Sequence, residues 1–193
     1  MITQTLNNNR GLHTAPGFYF LLALSLLTLP LKWCLAAGVA GIFHELCHLA
    51  TLRLCGGKIL AGKVGVRGTE IQATPLSAGK SLLCALAGPA GSFFLLLFSA
   101  RAPQLAVCAA AQGIYNLLPL CSLDGGQALE AALSLLFSPQ TVSRICRGTD
   151  RLCRSALLIL GMYASFFLDL GILPLLLSGI ICMKDHGRKI SCK

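Results

Sequence analysis

His44 and His48 stand four residues apart in the stretch "GIFHELCHLATLRL" (41–54), and Glu45 directly follows the first of them. On a helix this spacing projects both imidazoles from one face, one turn apart, where they can give two nitrogen ligands to a single zinc ion. Glu45 is then placed to reach a water on that ion and act as general base. The surrounding residues are almost wholly apolar. An ionised carboxylate near the centre of a bilayer costs roughly 2.5–3.5 kcal/mol, so charged groups in such a segment mark function.

Two histidines leave a catalytic zinc one protein ligand short, with a further position kept open for water. Only seven acids exist to supply that ligand. Glu70 falls in a polar, glycine-punctuated segment, Asp150 in a basic loop and Asp185 in the tail. Asp124, Glu130 and Asp169 remain, each beside an apolar segment. Asp124 is the strongest candidate, because it ends the fourth apolar span on the side where the second span ends. Glu130 is expected to face solvent, and Asp169 lies at an undefined depth. If the helix carrying the histidines ends near Leu54, its rise of 1.5 Å per residue sets His48 about 9 Å and His44 about 15 Å inside that end. The chain near Pro119 must therefore dip inward, and Asn116 and Pro119 in "NLLPLCSLDGG" supply the breaks that allow it.

The elements that must hold these residues are apolar helices. Hydrophobic residues make up 55% of the 193-residue chain, charged residues only 12%, and the mean hydropathy is +0.73. Soluble domains carry about a quarter charged residues, so the solvent implied is a membrane. The expected fold class is an all-α polytopic membrane protein of about 5–6 transmembrane helices, forming one domain over 1–193. Within it, 1–16 is a flexible N-terminus, 33–125 the catalytic core and 184–193 a basic tail. Gly17 to Leu31 is a short first span, for which a signal peptide is the alternative. Trp33 to Leu54 is the second span, Leu76 to Ala100 the third, interrupted by "AGPAGS", and Gln104 to Leu120 the fourth. Gly and Pro at mid-span require the "AGPAGS" stretch to face protein or a wet cavity. Between the second and third spans, "GGKILAGKVGVRGTEIQAT" alternates apolar and polar residues and reads as a small β-hairpin. Ala128 to Phe137 is too short to cross alone, and Ala156 to Met183 forms one tilted helix or two short ones.

The net charge of +9 collects in segments between the apolar runs. Arg53, Lys58, Lys63 and Arg67 follow the second span, and Arg144, Arg147, Arg151 and Arg154 follow the fourth. Both groups lie on one side, which the positive-inside rule makes cytoplasmic. No basic-aromatic patch exists, so nucleic acid is excluded as a partner. Ten cysteines form no CxxC pair, which opposes a zinc ribbon and fits a reducing compartment or lipid. Cys47, about 100° around the helix from His48, is read as packing.

Paired in this way, HELCH and "NLLPLCSLDGG" resemble the site-2 protease family of intramembrane metalloproteases, and in particular its compact branch with the stage IV sporulation protease. The family pattern is HExxH followed by NxxPxxxxDG, which Asn116, Pro119, Asp124 and Gly125 match at every position. The resemblance implies that His44, His48 and Asp124 bind one zinc per chain, that Glu45 is catalytic, and that Asn116 and Pro119 serve the substrate-binding segment. Members often read GPxxN in the third span, whereas this chain has Ser92 at the asparagine position, so no polar contact is carried over there. The function implied is hydrolysis of a peptide bond in or beside a transmembrane segment, with a membrane-associated pro-sigma factor as the sporulation-type substrate. The implied partners are a membrane protein or membrane-associated peptide, the lipid bilayer and a membrane regulator. The implied location is a bacterial cell membrane, with the site open to the cytoplasm. The alternative is a catalytically silent membrane scaffold or metal-binding protein.

Overall fold

Pro30 precedes, and Gly56 ends, the helix that carries the HELCH motif. This helix, α1 (Leu31–Leu54), runs for 24 residues, about 36 Å at 1.5 Å per residue and long enough to cross a bilayer core. Its end is chemically defined. Gly56 takes a φ of 81°, its N–H donates to the Arg53 carbonyl at 3.0 Å, and the Gly57 N–H donates to the Leu52 carbonyl at 2.9 Å. These two bonds form a Schellman motif, which satisfies carbonyls the last turn would otherwise leave open. In this computed structural model the residues described are 12–14, 26–65, 68–168 and 171–182. Most of the expected N-terminal segment 1–16 and of the expected first span, Arg67, Asp169 and the expected basic tail 184–193 with Asp185 lie outside them.

After the cap, β2 (Ile59–Gly65) and β3 (Gly68–Ala73) pair antiparallel, and β1 (Leu12–Thr14) lies parallel to β2 on its other edge. The base of the pair is closed by Thr74, whose N–H donates to the Lys58 carbonyl and whose hydroxyl accepts the Lys58 N–H, at 2.9 and 3.0 Å.

The third apolar segment departs from its expected form. Helix α2 (Ala78–Phe94) runs through Pro89 without a break and tightens into a single 3-10 turn at Leu95–Phe98. Gly88, Pro89, Gly91 and Ser92 are all buried, so the stretch does face protein, but as a smooth contact surface on α1 rather than an interruption. Helix α3 (Pro103–Asn116) stops four residues before the expected end of the fourth span. A non-helical turn, 117–123, then leads into α4 (Asp124–Leu133).

A larger correction concerns 138–155, expected as a basic loop. It is the first half of α5 (Pro139–Phe166), a helix of 28 residues. Proline at the first helical position favours this start, and the arginines at 144, 147, 151 and 154 recur at helical spacing. The helix ends at Phe166, Gly171 takes a φ of 71°, and α6 (Leu173–Cys182) follows. The final apolar stretch is therefore two helices.

Helices α1, α2 and α3 pack against one another, α4 lies on α2, α5 on α4, and α6 on α5. The contact between α1 and α3 rests on small residues: Ala40 and Ala109 are fully buried and join Leu95, with Phe43, Leu105 and Cys108 around them. Large apolar side chains cover the exterior instead, among them Leu27, Leu54, Leu136 and Phe167. Among the described residues two helical segments, Leu31–Leu54 and Ala78–Phe98, are long and apolar enough to cross a membrane, and only 22% and 28% of their apolar windows are buried. A core helix of a soluble domain would be mostly buried. An apolar exterior of this extent is the surface of a membrane protein. If α1 and α3 touch through alanine, Ala109→Leu should force them apart at a cost on the order of 1–3 kcal/mol. The measurement is the unfolding midpoint in detergent, which should fall for Ala109→Leu and stay level for the outward-facing Val107→Leu.

Candidate metal centre

Helix α1 presents His44 and His48 toward α2 and α4, with ring centroids 4.8 Å apart and the rings nearly perpendicular. Asp124 is the first residue of α4. Its Oδ2 lies 3.0 Å from His44 Nε2 and 3.1 Å from His48 Nε2, and the two Nε2 atoms are 3.1 Å apart. Residues 76 and 80 positions apart in the chain thus bring three donor atoms together. His44 is only 2% exposed; His48 and Asp124 are 17% and 16%.

The hydrogen bonds behind the rings decide what these atoms offer. His48 Nδ1 is 2.7 Å from the Cys84 carbonyl oxygen, which can only accept, so Nδ1 carries the proton. In the neutral ring Nε2 then holds a lone pair aimed at the cluster. His44 Nδ1 pairs with Ser92 Oγ at 2.9 Å, and donation from Nδ1 leaves its Nε2 in the same state. Two imidazole lone pairs and a carboxylate oxygen converging without a cation or proton between them would repel. Zinc bonds of 2.0–2.2 Å at tetrahedral angles separate ligand atoms by about 3.3 Å, close to the spacing observed. A His2Asp set with a fourth position open is also the donor chemistry of catalytic zinc. The residues fit the ion.

The rest of the backbone is shaped to this cluster. A Cβ at Gly88 would collide with His48 Nε2 and crowd His44 Nε2, so α2 reaches the rings only with glycine there. Cβ atoms at Gly125 and Gly126 would strike the Leu117 and Leu120 carbonyls, so the DGG sequence lets the start of α4 rest directly on the preceding turn.

Asn116 ends α3 with Nδ2 3.3 Å from His44 Nε2. Glu45 follows His44 on α1 and is half-buried. Pro119 lies in the 117–123 turn and Glu130 on α4, each half-buried, and Glu130 is not one of the grouped donors. Cys47 packs under Gly91. The contacts of Ser92 and of the Cys84 carbonyl with the two rings are not assigned from sequence. Ser92 stood out only as a hydroxyl where asparagine was the norm, and a backbone carbonyl leaves no trace in a sequence. Among the described residues, His44, His48 and Asp124 form the one such group.

No protein-family model and no curated protein sequence matches the chain. Among solved structures, the site-2 protease from Methanocaldococcus jannaschii superposes with a TM-score of 0.63, covering 86% of this chain and 83% of that one at 23% identity. The chain has the site-2 protease fold. In this site-2 protease fold the cluster sits where α1, α2 and α4 meet. Since Ser92 holds His44 from behind, Ser92→Ala should weaken zinc binding by roughly ten- to a hundredfold, as loss of an outer hydrogen-bond partner does elsewhere. Gly88→Ala, which places a methyl group against His48, should abolish it. Competition with a chromogenic chelator reads both.

Proposed function

We propose that this protein is a zinc-dependent intramembrane endopeptidase that cleaves a peptide bond in or next to a membrane-embedded segment of another protein. The observation that carries the reading is the meeting of His44, His48 and Asp124 inside an apolar helical bundle, with their donor atoms 3.0–3.1 Å apart. The site-2 protease fold and the paired motifs support it.

Zinc held by His44, His48 and Asp124 would supply a Lewis acid for the scissile carbonyl and lower the pKa of water toward about 7. The chain's own residues do the rest. Glu45 takes the proton from that water and returns it to the leaving nitrogen, a two-way role a half-buried carboxylate next to a ligand can fill. Asn116 offers an amide beside His44 to hold the substrate backbone. Pro119 shapes the segment along which that backbone lies. A substrate must be extended for its carbonyl to be reached, and β3, at the outer edge of the sheet order β1-β2-β3, offers a strand edge of the kind that captures extended peptides.

Arg53, Lys58 and the arginines of α5 support a cytoplasmic opening for the site. The reading keeps five to six membrane crossings within one domain, the short helices α3 and α6 and the apolar second half of α5 contributing beside α1 and α2. Motif resemblance to the sporulation branch extends it to a membrane-associated pro-sigma factor as substrate.

Glu45→Gln tests the assignment. Co-expressed with tagged membrane-tethered candidate substrates, the wild-type chain should release a cleaved product. Glu45→Gln should retain zinc and lose roughly 100- to 10,000-fold in rate, the share a positioned acid–base group contributes. Cleavage that survives in Glu45→Gln, or a wild type that binds zinc and cuts no candidate, turns the reading toward the membrane metal-binding scaffold.

A further inference from the structure

Asp150 faces the turn that delivers Asp124. Its Oδ1 accepts the Cys121 N–H at 2.9 Å, and Cys121 lies three residues before Asp124, at most about 11 Å of extended chain away. Its second oxygen is also engaged. Arg154 Nε donates to Asp150 Oδ2 at 2.7 Å and Arg154 Nη2 to Oδ1 at 3.2 Å, a two-pronged guanidinium–carboxylate pair. The remaining prong, Arg154 Nη1, donates to the Cys182 carbonyl at the end of α6, 2.9 Å away. One carboxylate and one guanidinium therefore tie the 117–123 turn to α5 and α6.

An i, i+4 pair on an open helix surface contributes little, but this pair is only 15% exposed on each side and reaches two other elements. Partial burial pushes the Asp150 carboxyl up, yet the Arg154 guanidinium and the Cys121 N–H outweigh burial and hold it below the usual carboxylate range. The pair precedes the apolar stretch that begins at Ala156.

The turn needs such an anchor. Within it the Leu120 N–H donates to Leu118 O at 2.7 Å and the Leu123 N–H to Leu120 O at 2.9 Å, and Leu120 is buried as a plug. Those bonds shape the turn without fixing it to the bundle beyond α4. Asp150 makes that fixture by accepting a backbone N–H of the turn from its place on α5.

We propose that Asp150, aimed by Arg154, is a positioning residue that holds the 117–123 turn so that Asp124 meets His44 and His48. The proposal rests on the metal-centre reading above. It gives the Asp150–Arg154 pair a task in metal affinity rather than only in helix stability.

The test uses the full chain in detergent with Zn2+ and Co2+ as probes. Asp150→Ala should raise the zinc dissociation constant roughly ten- to a hundredfold, alter the visible absorption of the Co2+ form, and speed hydrogen exchange across 117–123. Asp150→Asn keeps an oxygen able to accept the Cys121 N–H, so its zinc affinity should lie between wild type and Asp150→Ala. A folded Asp150→Ala with wild-type affinity and wild-type Co2+ absorption overturns the proposal. Should Asp150→Ala fail to fold, an Asp150→Asn indistinguishable from wild type in both affinity and exchange overturns it. A wild type that binds neither metal overturns the metal-centre reading instead. Exchange across 117–123 then decides whether Asp150 holds the turn, faster exchange in Asp150→Ala supporting it and equal exchange overturning it.

Discussion

Converging lone pairs in an apolar bundle are the constraint on which this structure turns. His44, His48 and Asp124 bring three acceptor atoms within 3.1 Å of one another, in surroundings where each group is costly to bury and mutual repulsion is weakly screened. Such an arrangement persists only if the ring tautomers, the depth of each helix and the path of the connecting turn are all set from outside the cluster. Cys84 and Ser92 set the rings from α2, and the DGG start of α4 sets the carboxylate. The helices are thus less a container for the site than the means of holding incompatible groups at close range.

Close approach of backbones follows from the same need. In lipid, helices gain nothing by hiding apolar surface from one another and associate through fitted contacts between small residues. Ala40 against Ala109 and Gly88 against the two imidazoles are contacts of this kind. The large side chains lie outside, where a soluble protein would place its charges. The sequence of α2 looks defective for a helix, with glycines and a proline at its centre, until its buried face is seen to be the surface pressed against the histidines.

Much of this was legible in the residues, and what was not has physical reasons. HELCH could be read because helical periodicity is local: two histidines four apart share a face whatever surrounds them. Asp124 could be reached by elimination among seven acids and by a depth argument, since a helix has a fixed rise. The partners behind the rings could not be read. Ser92 meets His44 across 48 residues, and the Cys84 partner is a carbonyl that any residue would provide. The basic segment 138–155 was misread because arginines and serines suggest a loop by composition, while their spacing of three and four, the more physical signal, suggests a helix. Misplacing that helix hid Asp150, whose contact with Cys121 spans 29 residues.

The wide sequence separation of the ligands has a consequence for how the protein comes into being. During synthesis the histidine pair on α1 emerges 76 residues before Asp124, and α2 and α3 must be inserted between them. Until then the chain carries only the two imidazoles of the cluster, without the carboxylate that meets them. At an elongation rate of about 5–20 residues per second, that interval lasts several seconds. The order of the three residues along the chain therefore works as a delay: the cluster closes only after α2 and α3, which separate its two parts, have been made.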